Sequence, residues 1–273
     1  MLNNPLVSIV TVCKNAEKSI EKTIQSVINQ SYNNIEFIII DGKSTDKTIE
    51  LINLYIENIS YFISESDKGV ADAWNKGINK SNGSFIQILN ADDFLDEKKI
   101  EASINFFKNN EKADFVFGDL FMVNNNNDIT YKITGDSRYI SKVKYRMPRI
   151  NHPTIMAKKE LYDKFGLFDL RYTIAMDYEW LLRITNNGAI GFYSPAIYVY
   201  MLEGGVSGNI FKALKQEREI SIFYGSNCVI GFTIYFIRII KVISRKLLEK
   251  FIDEKYLSVF RPGKIKYFSG RPY

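Results

Sequence analysis

Apolar positions along this chain switch repeatedly between two periods. A β-branched run at residues 6–12 predicts a strand, and Ile20, Ile24, Val27 and Ile28 follow at spacings that share one helical face. Residues 35–40 restore strand character. After a Ser44-Thr45-Asp46 loop, Ile49, Ile52 and Ile56 return to the helical period, and residues 59–63 resume a strand. A helix at 70–79, stopped by the Ser81-Asn82-Gly83-Ser84 turn, and a fourth strand at 85–89 complete the series. Strands alternating with helices predict an α/β fold: a mostly parallel sheet with right-handed crossovers, in the manner of Rossmann-like nucleotide-binding domains. Ligands of such sheets bind beyond the carboxyl ends of the strands. Asp41 closes the second strand, Asp67-Lys68-Gly69 follows the third and Asp92-Asp93 ends the fourth, so topology alone gathers acids at one edge.

Further along, Asp96 is placed to cap a helix with Ile100, Ile104 and Phe107 inward. The pattern loosens over 114–123, and the Asn124-Asn125-Asn126-Asn127 tract reads as a loop. Strand-like pieces recur near 129–133, 154–157, 190–193 and 196–201, with helices near 159–165 and 177–186. From residue 229 the tail mixes Phe232, Ile234, Tyr235, Phe236, Ile237, Ile239 and Ile240 with Arg238, Lys241, Arg245 and Lys246. A membrane span needs roughly 20 predominantly apolar residues, so the tail is not expected to cross a bilayer. Lying flat on an anionic membrane and packing against the rest of the chain are the two open readings.

Composition narrows the chemistry. Lys and Arg outnumber Asp and Glu by 36 to 31, a formal charge of +5. That is small for a dedicated nucleic-acid binder and leaves room for an anionic small ligand. Cys13 and Cys228 lie far apart in apolar surroundings, with neither a disulfide framework nor metal-ligand spacing, which suits a reducing cytoplasm. The segment Met1-Leu2-Asn3-Asn4-Pro5 lacks the features of an export signal, so a cytoplasmic protein, at most peripheral to the membrane, is expected. With one histidine, His152, a multi-histidine metal site is excluded, and a Ser-His-Asp triad would rest on that residue without a G-x-S-x-G elbow.

The Asp92-Asp93 pair has three readings: a solvated turn, a helix cap or a divalent-cation site. Asp96 is the better cap, which leaves the pair without a structural task directly after a buried strand and favours the cation. Mg²⁺ or Mn²⁺ takes oxygen ligands, often one or two carboxylates plus substrate phosphates. No G-x-x-x-x-G-K-[ST] loop is present and no G-x-G-x-x-G follows the first strand, so kinase, ATPase and dinucleotide readings lack support.

Several ordered blocks now carry a more specific resemblance. Thr11-Val12-Cys13-Lys14-Asn15, Ser26-Val27-Ile28-Asn29-Gln30-Ser31-Tyr32, Asp41-Gly42-Lys43-Ser44-Thr45-Asp46, the stretch from Ser64 through Asp67-Lys68-Gly69 to Trp74-Asn75-Lys76-Gly77, and Leu89-Asn90-Ala91-Asp92-Asp93 together resemble family 2 glycosyltransferases of GT-A fold. The resemblance implies a transferase domain over 1–208, with a nucleotide-sugar half at 1–113 and an acceptor half at 114–208, followed by a helical, basic extension at 209–273. It implies an inverting transfer from a nucleotide sugar, UDP-linked, to a hydroxyl of a saccharide or lipid-linked saccharide in polysaccharide or surface-glycan assembly. No nucleic acid is expected as partner.

Residue by residue, the resemblance places Thr11, Val12, Cys13 and Asn15 beside the nucleotide and Asp41 near the base or ribose. Asn90 and Ala91 join the donor site, Asp93 binds the metal, and Asp92 lies near ribose or sugar. Two departures stand out: Asp41 is followed by Gly42 where many members have a second acid, and Lys14 stands where many have an aromatic. Lys68 would offset pyrophosphate charge and Asp72 hold a hydroxyl, alongside Asp67, although Asp-Lys-Gly is equally a good turn and Asp72 a first-turn acid. Inverting transfer needs a carboxylate to accept the acceptor's proton. Asp177, in Asp177-Tyr178-Glu179-Trp180, resembles that base; local sequence alone favours a helix cap, and the ordered family resemblance reverses that reading. His152, Tyr178, Glu179 and Trp180 are expected to contact the acceptor, with Tyr172 a further stacking candidate. Gly204-Gly205-Val206-Ser207 resembles a family loop near the diphosphate.

Overall fold

The computed structural model describes residues 4–124, 126, 128–203, 209–251 and 264–266. Its amino-terminal half follows the predicted alternation: β1 (Val7–Cys13), α1 (Ile20–Ile28), β2 (Ile35–Asp41), α2 (Thr48–Asn53), β3 (Tyr61–Ser64), α3 (Val70–Lys80) and β4 (Phe85–Asn90). β1 pairs in parallel with both β2 and β4, and β2 with β3. All seven residues of β1 are buried because helices cover both faces, which explains an apolar run without polar alternation. Val10, Val12, Ile38, Ile40, Ile86 and Ile88 face α3 through Ala71, Trp74 and Ile78. Ile9, Phe37, Ile39 and Leu89 face the opposite layer with Ile20, Ile24 and Val27 of α1. The crossovers run outward from β1 to β2 and β3, then return to β4 on its other side. The switch of direction therefore falls between β1 and β4, where such sheets open a crevice.

After β5 (Asp93–Leu95) and α4 (Lys99–Asn109) the sheet becomes mixed. It adds β6 (Phe115–Val123), β7 (Ile129–Ile133), β8 (Met156–Lys158) and β9 (Gly191–Leu202) in the order β7-β6-β8-β4-β1-β2-β3, with β9 paired to both β5 and β6. β8 is antiparallel to β4 and β6, whereas β6 and β9 run parallel. The loosened stretch after residue 114 is in fact this nine-residue strand. Its period is masked by Gly118 and Asp119, which have local tasks. A Cβ on Gly118 would lie 1.7 Å from the Ile197 carbonyl oxygen, and the β6–β9 register shifts between Phe117 and Asp119. Buried Asp119 is neutralised by Lys132 and accepts from Gly135 N and Tyr193 Oη, each at 2.9 Å. Likewise the two expected strands at 190–201 are one, β9.

Between these strands lie α5 (Ile140–Val143), α6 (Lys159–Phe165) and α7 (Met176–Asn186). The tail forms α8 (Ile210–Phe223) and α9 (Cys228–Phe251), helical as expected, and then returns to the sheet: β10 (Lys264–Lys266) pairs antiparallel with β7. Among the described residues no helix is long and apolar enough to cross a membrane.

Candidate active site

Two loops at the β1 and β2 ends are laced together. Asn15, held at φ +52°, accepts from Thr45 N at 2.9 Å while its own N–H donates to Ser44 Oγ at 2.8 Å. Ala16 N donates to Thr48 Oγ1 at 2.7 Å. Asp41 organises the same turn. Its carboxylate accepts from Ser44 N at 2.9 Å, from the Ser44 hydroxyl, from Ser64 Oγ at 2.6 Å and from Cys13 Sγ at 3.4 Å. It is wholly buried, so the expected contact of its side chain with base or ribose is not available in this conformation. Thr11 and Val12 are also interior: Val12 packs in the core and Thr11 Oγ1 is buried without a hydrogen-bond partner. Burial and the adjacent Asp41 push the Cys13 thiol up, out of reach of ionisation at neutral pH. Of this first group, Asn15 stays exposed beside Lys14.

Gly42 shows how the second acid is replaced. A Cβ there would lie 2.4 Å from Asp67 Oδ2 and 3.3 Å from Lys14 Cδ. The missing side chain thus lets the Asp67 carboxylate and the Lys14 stem close over the β2 end. Asp67 Oδ1 accepts from Gly69 N at 2.8 Å, where Gly69 adopts φ +117°. Asp72 accepts from Lys68 N at 2.9 Å and lies 3.6 Å from Lys76 Nζ. Its carboxylate serves the turn rather than an open sugar site. The Lys68 side chain is exposed.

At the β4 end, α1 fastens the acidic hairpin. Thr23 Oγ1 lies 2.9 and 2.7 Å from the carbonyl oxygens of Ala91 and Asp93, Ser26 Oγ accepts from Leu95 N at 3.1 Å, and Gln30 donates to the Asp96 carbonyl at 2.7 Å. Asp93 is paired opposite Met201 on β9, and Leu202 N donates to the Asp92 carbonyl at 3.2 Å. The two carboxylates then differ. Asp93 is wholly buried, with Oδ1 lacking any hydrogen-bond partner and Oδ2 3.5 Å from Asn90 Nδ2; burial, reinforced by Asp92, pushes its carboxyl well up. Asp92 is only half-buried, and burial raises its carboxyl as well. A carboxylate without exposure cannot meet an arriving cation unless the hairpin moves. Of the two acids, Asp93, expected on the metal, is the enclosed one, and Asp92, expected near the sugar, is the one with an exposed face. Two adjacent acids, one holding an unsatisfied buried oxygen, fit a hard cation. No group of three or more His, Cys, Asp or Glu that could hold a metal ion occurs among the described residues, so remaining ligands must come from substrate or water.

Asn90 Oδ1 accepts from Trp74 Nε1 at 3.3 Å, and a ring chain starts there. Trp74 stacks on His152 at 4.5 Å and meets Phe168 at 4.9 Å; Phe168 in turn lies 5.7 Å from Trp180 of α7. His152 is thus brought beside the β4 end, and burial pushes its imidazole down to about 4, which keeps it neutral at pH 7. Asn75, unassigned from sequence, exchanges two hydrogen bonds with the Phe168 backbone, at 2.8 and 2.9 Å. Trp74 and Asn75 are the positioning residues that sequence reading missed. The available signal was a consecutive Trp-Asn inside a helix that faces the sheet edge.

The start of α7 is held from α8. Gln216 Oε1 accepts from Ile174 N and Ala175 N, each at 3.1 Å. Asp177 follows, half-buried, its Oδ1 accepting from Tyr178 N at 2.8 Å. Burial pushes its carboxyl up to about 6, with Glu217 adding to the shift, a range suited to a general base. The three residues after it are structural, contrary to the acceptor-contact expectation. Tyr178 is fully buried and donates to the Val143 carbonyl at 2.8 Å; Trp180 is buried against Tyr162, rings 4.7 Å apart. Glu179 is buried and takes a bidentate pair from Arg183, 2.9 Å for each bond, plus the Tyr224 hydroxyl. Tyr172 remains half-buried near these groups. The expected glycine loop at 204–207 lies outside the described residues.

A mixed sheet flanked by helices, with acids at the β4 end and a half-buried carboxylate at the start of a neighbouring helix, matches the fold of GT-A glycosyltransferases. Residues 8–168 match the sequence profile described as Glycosyl transferase family 2, and the chain belongs to that family. It is 27% identical over 251 residues to a PGL/p-HBAD biosynthesis glycosyltransferase of Mycobacterium bovis, covering 89% of this chain and 94% of that protein. Over 112 residues it is 42% identical to an uncharacterized glycosyltransferase of Haemophilus influenzae, a match that spans 40% of this chain and 45% of the relative. Among solved structures, S. aureus TarS 1-349 in complex with UDP-GlcNAc superposes with a TM-score of 0.62 at 16% identity, over 82% of this chain and 68% of that one. The mannosyltransferase PcManGT from Pyrobaculum calidifontis, in complex with GDP-Man and Mn²⁺, gives 0.63 at 16% identity, over 96% and 80%.

Proposed function

We propose that this glycosyltransferase moves one sugar from a UDP-linked donor to a hydroxyl of a saccharide or lipid-linked saccharide, with inversion at the anomeric carbon. The supporting observation is the ring chain that fixes the helix of Asp177 against Asn90 and the acidic hairpin, so that a base and a cation edge belong to one rigid unit. Asp92 presents its carboxylate to a divalent cation, Mg²⁺ or Mn²⁺, with Asp93 behind it. When bound, the cation offsets the charge that builds on the departing nucleoside diphosphate. Asp177 takes the proton of the acceptor hydroxyl as its oxygen attacks the anomeric carbon; the bond to the diphosphate breaks with its electron pair. Lys14, Asn15, Asp67 and Lys68 surround the nucleotide from the β1 and β3 ends. The UDP preference draws on the UDP-GlcNAc complex of TarS, and the saccharide acceptor on the family resemblance.

Calorimetric titration of UDP with Mn²⁺, with EDTA and with Asp92→Asn tests the donor half. Binding that needs both the metal and Asp92 is expected. Metal-independent UDP binding, unaltered by Asp92→Asn, overturns the cation assignment; binding of GDP but not UDP overturns the donor assignment.

A further inference from the structure

Helix α9 packs the wrong way round for a helix that ends in water. Its inner side meets α8 through polar and close-packed contacts. Arg238 pairs with Glu217 (Nη2–Oε1 3.1 Å), Gly231 sits where a Cβ would lie 3.2 Å from Ile222 Cγ1, and the Arg218 guanidinium lies 4.6 Å from the ring centres of both Phe232 and Tyr235. The outer side is mainly apolar, interrupted by the exposed hydroxyls of Thr233 and Ser244. Val229, Phe236, Ile237, Ile240, Ile243 and Leu247 are each 45–73% exposed. At 3.6 residues per turn these six positions fall within an arc of about 120°. A helix of a protein surrounded by water turns such a stripe toward its core.

Charge borders the stripe. Lys241 and Arg245 are exposed beside one edge. Across residues 228–251 the sequence holds Arg238, Lys241, Arg245, Lys246 and Lys250 against one acid, Glu249. Two copies meeting through this face would bring basic rims together, which disfavours an isologous dimer. An apolar stripe edged by cations is complementary to a bilayer with anionic headgroups, where the stripe enters the acyl boundary and the amines stay at phosphate level.

We propose that α9 is an interfacial anchor that lays its outer face on an anionic membrane. The anchor is joined to the catalytic base through α8: Glu217 pairs with Arg238 while the adjacent Gln216 holds the backbone before Asp177. Docking therefore fixes the acceptor side of the enzyme at the lipid surface. The anchor itself goes beyond the transfer reaction and stands independently of it, while its placing of the acceptor side rests on the proposed role of Asp177.

The test is flotation of the full chain with vesicles of phosphatidylcholine alone or with about a third phosphatidylglycerol, alongside light scattering. Binding to the anionic vesicles is expected, at least about tenfold stronger than to the neutral ones and weakened by salt. Phe236→Asp with Ile240→Asp should abolish binding to both vesicles, and Lys241→Glu with Arg245→Glu should abolish the preference for anionic lipid. Melting temperature and UDP titration report whether each variant stays folded, and all four positions are exposed. Failure to float with anionic vesicles overturns the anchor, as does flotation that survives both pairs of substitutions. A dimer split by Phe236→Asp with Ile240→Asp overturns it in favour of a second copy on this face.

Discussion

Replacing Asp177 by Asn should change activity and stability in opposite directions. Burial holds the carboxyl at about 6. Against an ordinary carboxyl near 3.9, a rise of about two units opposes the buried charge by about 3 kcal/mol, a figure that partial exposure reduces. The folded pKa exceeds the unfolded one, so the protonated group favours the fold below about pH 4 and this advantage is lost as pH rises through about 6. At about pH 7.5 the charged carboxylate therefore works against folding, and Asn removes that cost while still accepting the Tyr178 N–H bond. The variant should melt a few degrees higher, yet lose about 10²- to 10⁴-fold in kcat/KM with UDP–metal binding intact. Wild-type kcat/KM should have an acid limb centred near pH 6, falling to about a tenth of its plateau at pH 5. Calorimetry of both proteins and a pH series of sugar transfer supply the readings. A variant that melts lower and keeps more than about a tenth of the rate, or a flat wild-type profile down to pH 5, refutes the base assignment.

Other substitutions separate packing from chemistry. Trp180→Ala should cost about 3–5 kcal/mol in denaturant unfolding, because a buried ring stacked on Tyr162 is lost, and in the surviving folded enzyme should lower kcat more than it raises acceptor KM, since the ring contact with Phe168 that holds the Asp177 helix is cut. Gly42→Ala should raise donor KM with little change in melting temperature, since the clash falls on the movable Asp67 carboxylate. Gly118→Ala should sharply lower the melting temperature or the soluble yield, because its Cβ meets the Ile197 backbone, which cannot turn aside. His152→Phe should leave the shape of the pH profile unchanged between about pH 5.5 and 8, as the imidazole is neutral throughout that range.

What could be read from the sequence followed burial and period. β1, β2 and β4 are covered on both faces, so their apolar runs announced them, and the helices between them kept one-sided spacing. β6 was concealed because Gly118 answers to a backbone contact and Asp119 to Lys132, both set by distant segments. The site shows the same limit. Asp177, Tyr178, Glu179 and Trp180 are consecutive on a helix and point in successive directions about its axis, so they cannot all face one ligand. Which of them faces the cleft depends on α6 and α8 packing around α7. Asp41 carried a local clue: Ser44, three residues on, makes an acid-led turn, and that turn consumes the carboxylate. The difference in burial between Asp92 and Asp93 had no such clue, because pairing with β9 decides it.

The pairing of Asp93 with Met201 also orders events during synthesis. The acidic hairpin leaves the ribosome 108 residues before its strand partner, which at about 5–20 residues per second is a delay of about 5–20 s. β1 to β4 need nothing from later segments to pair with one another, so a nascent chain can assemble its nucleotide end early. The two acids wait unbraced on that side until β9 emerges, and Asp177 precedes it by only a short interval. A half-made chain can therefore hold its first parallel strands without the brace on the acidic hairpin, and the surroundings of Asp92, Asp93 and Asp177 are completed late and almost together.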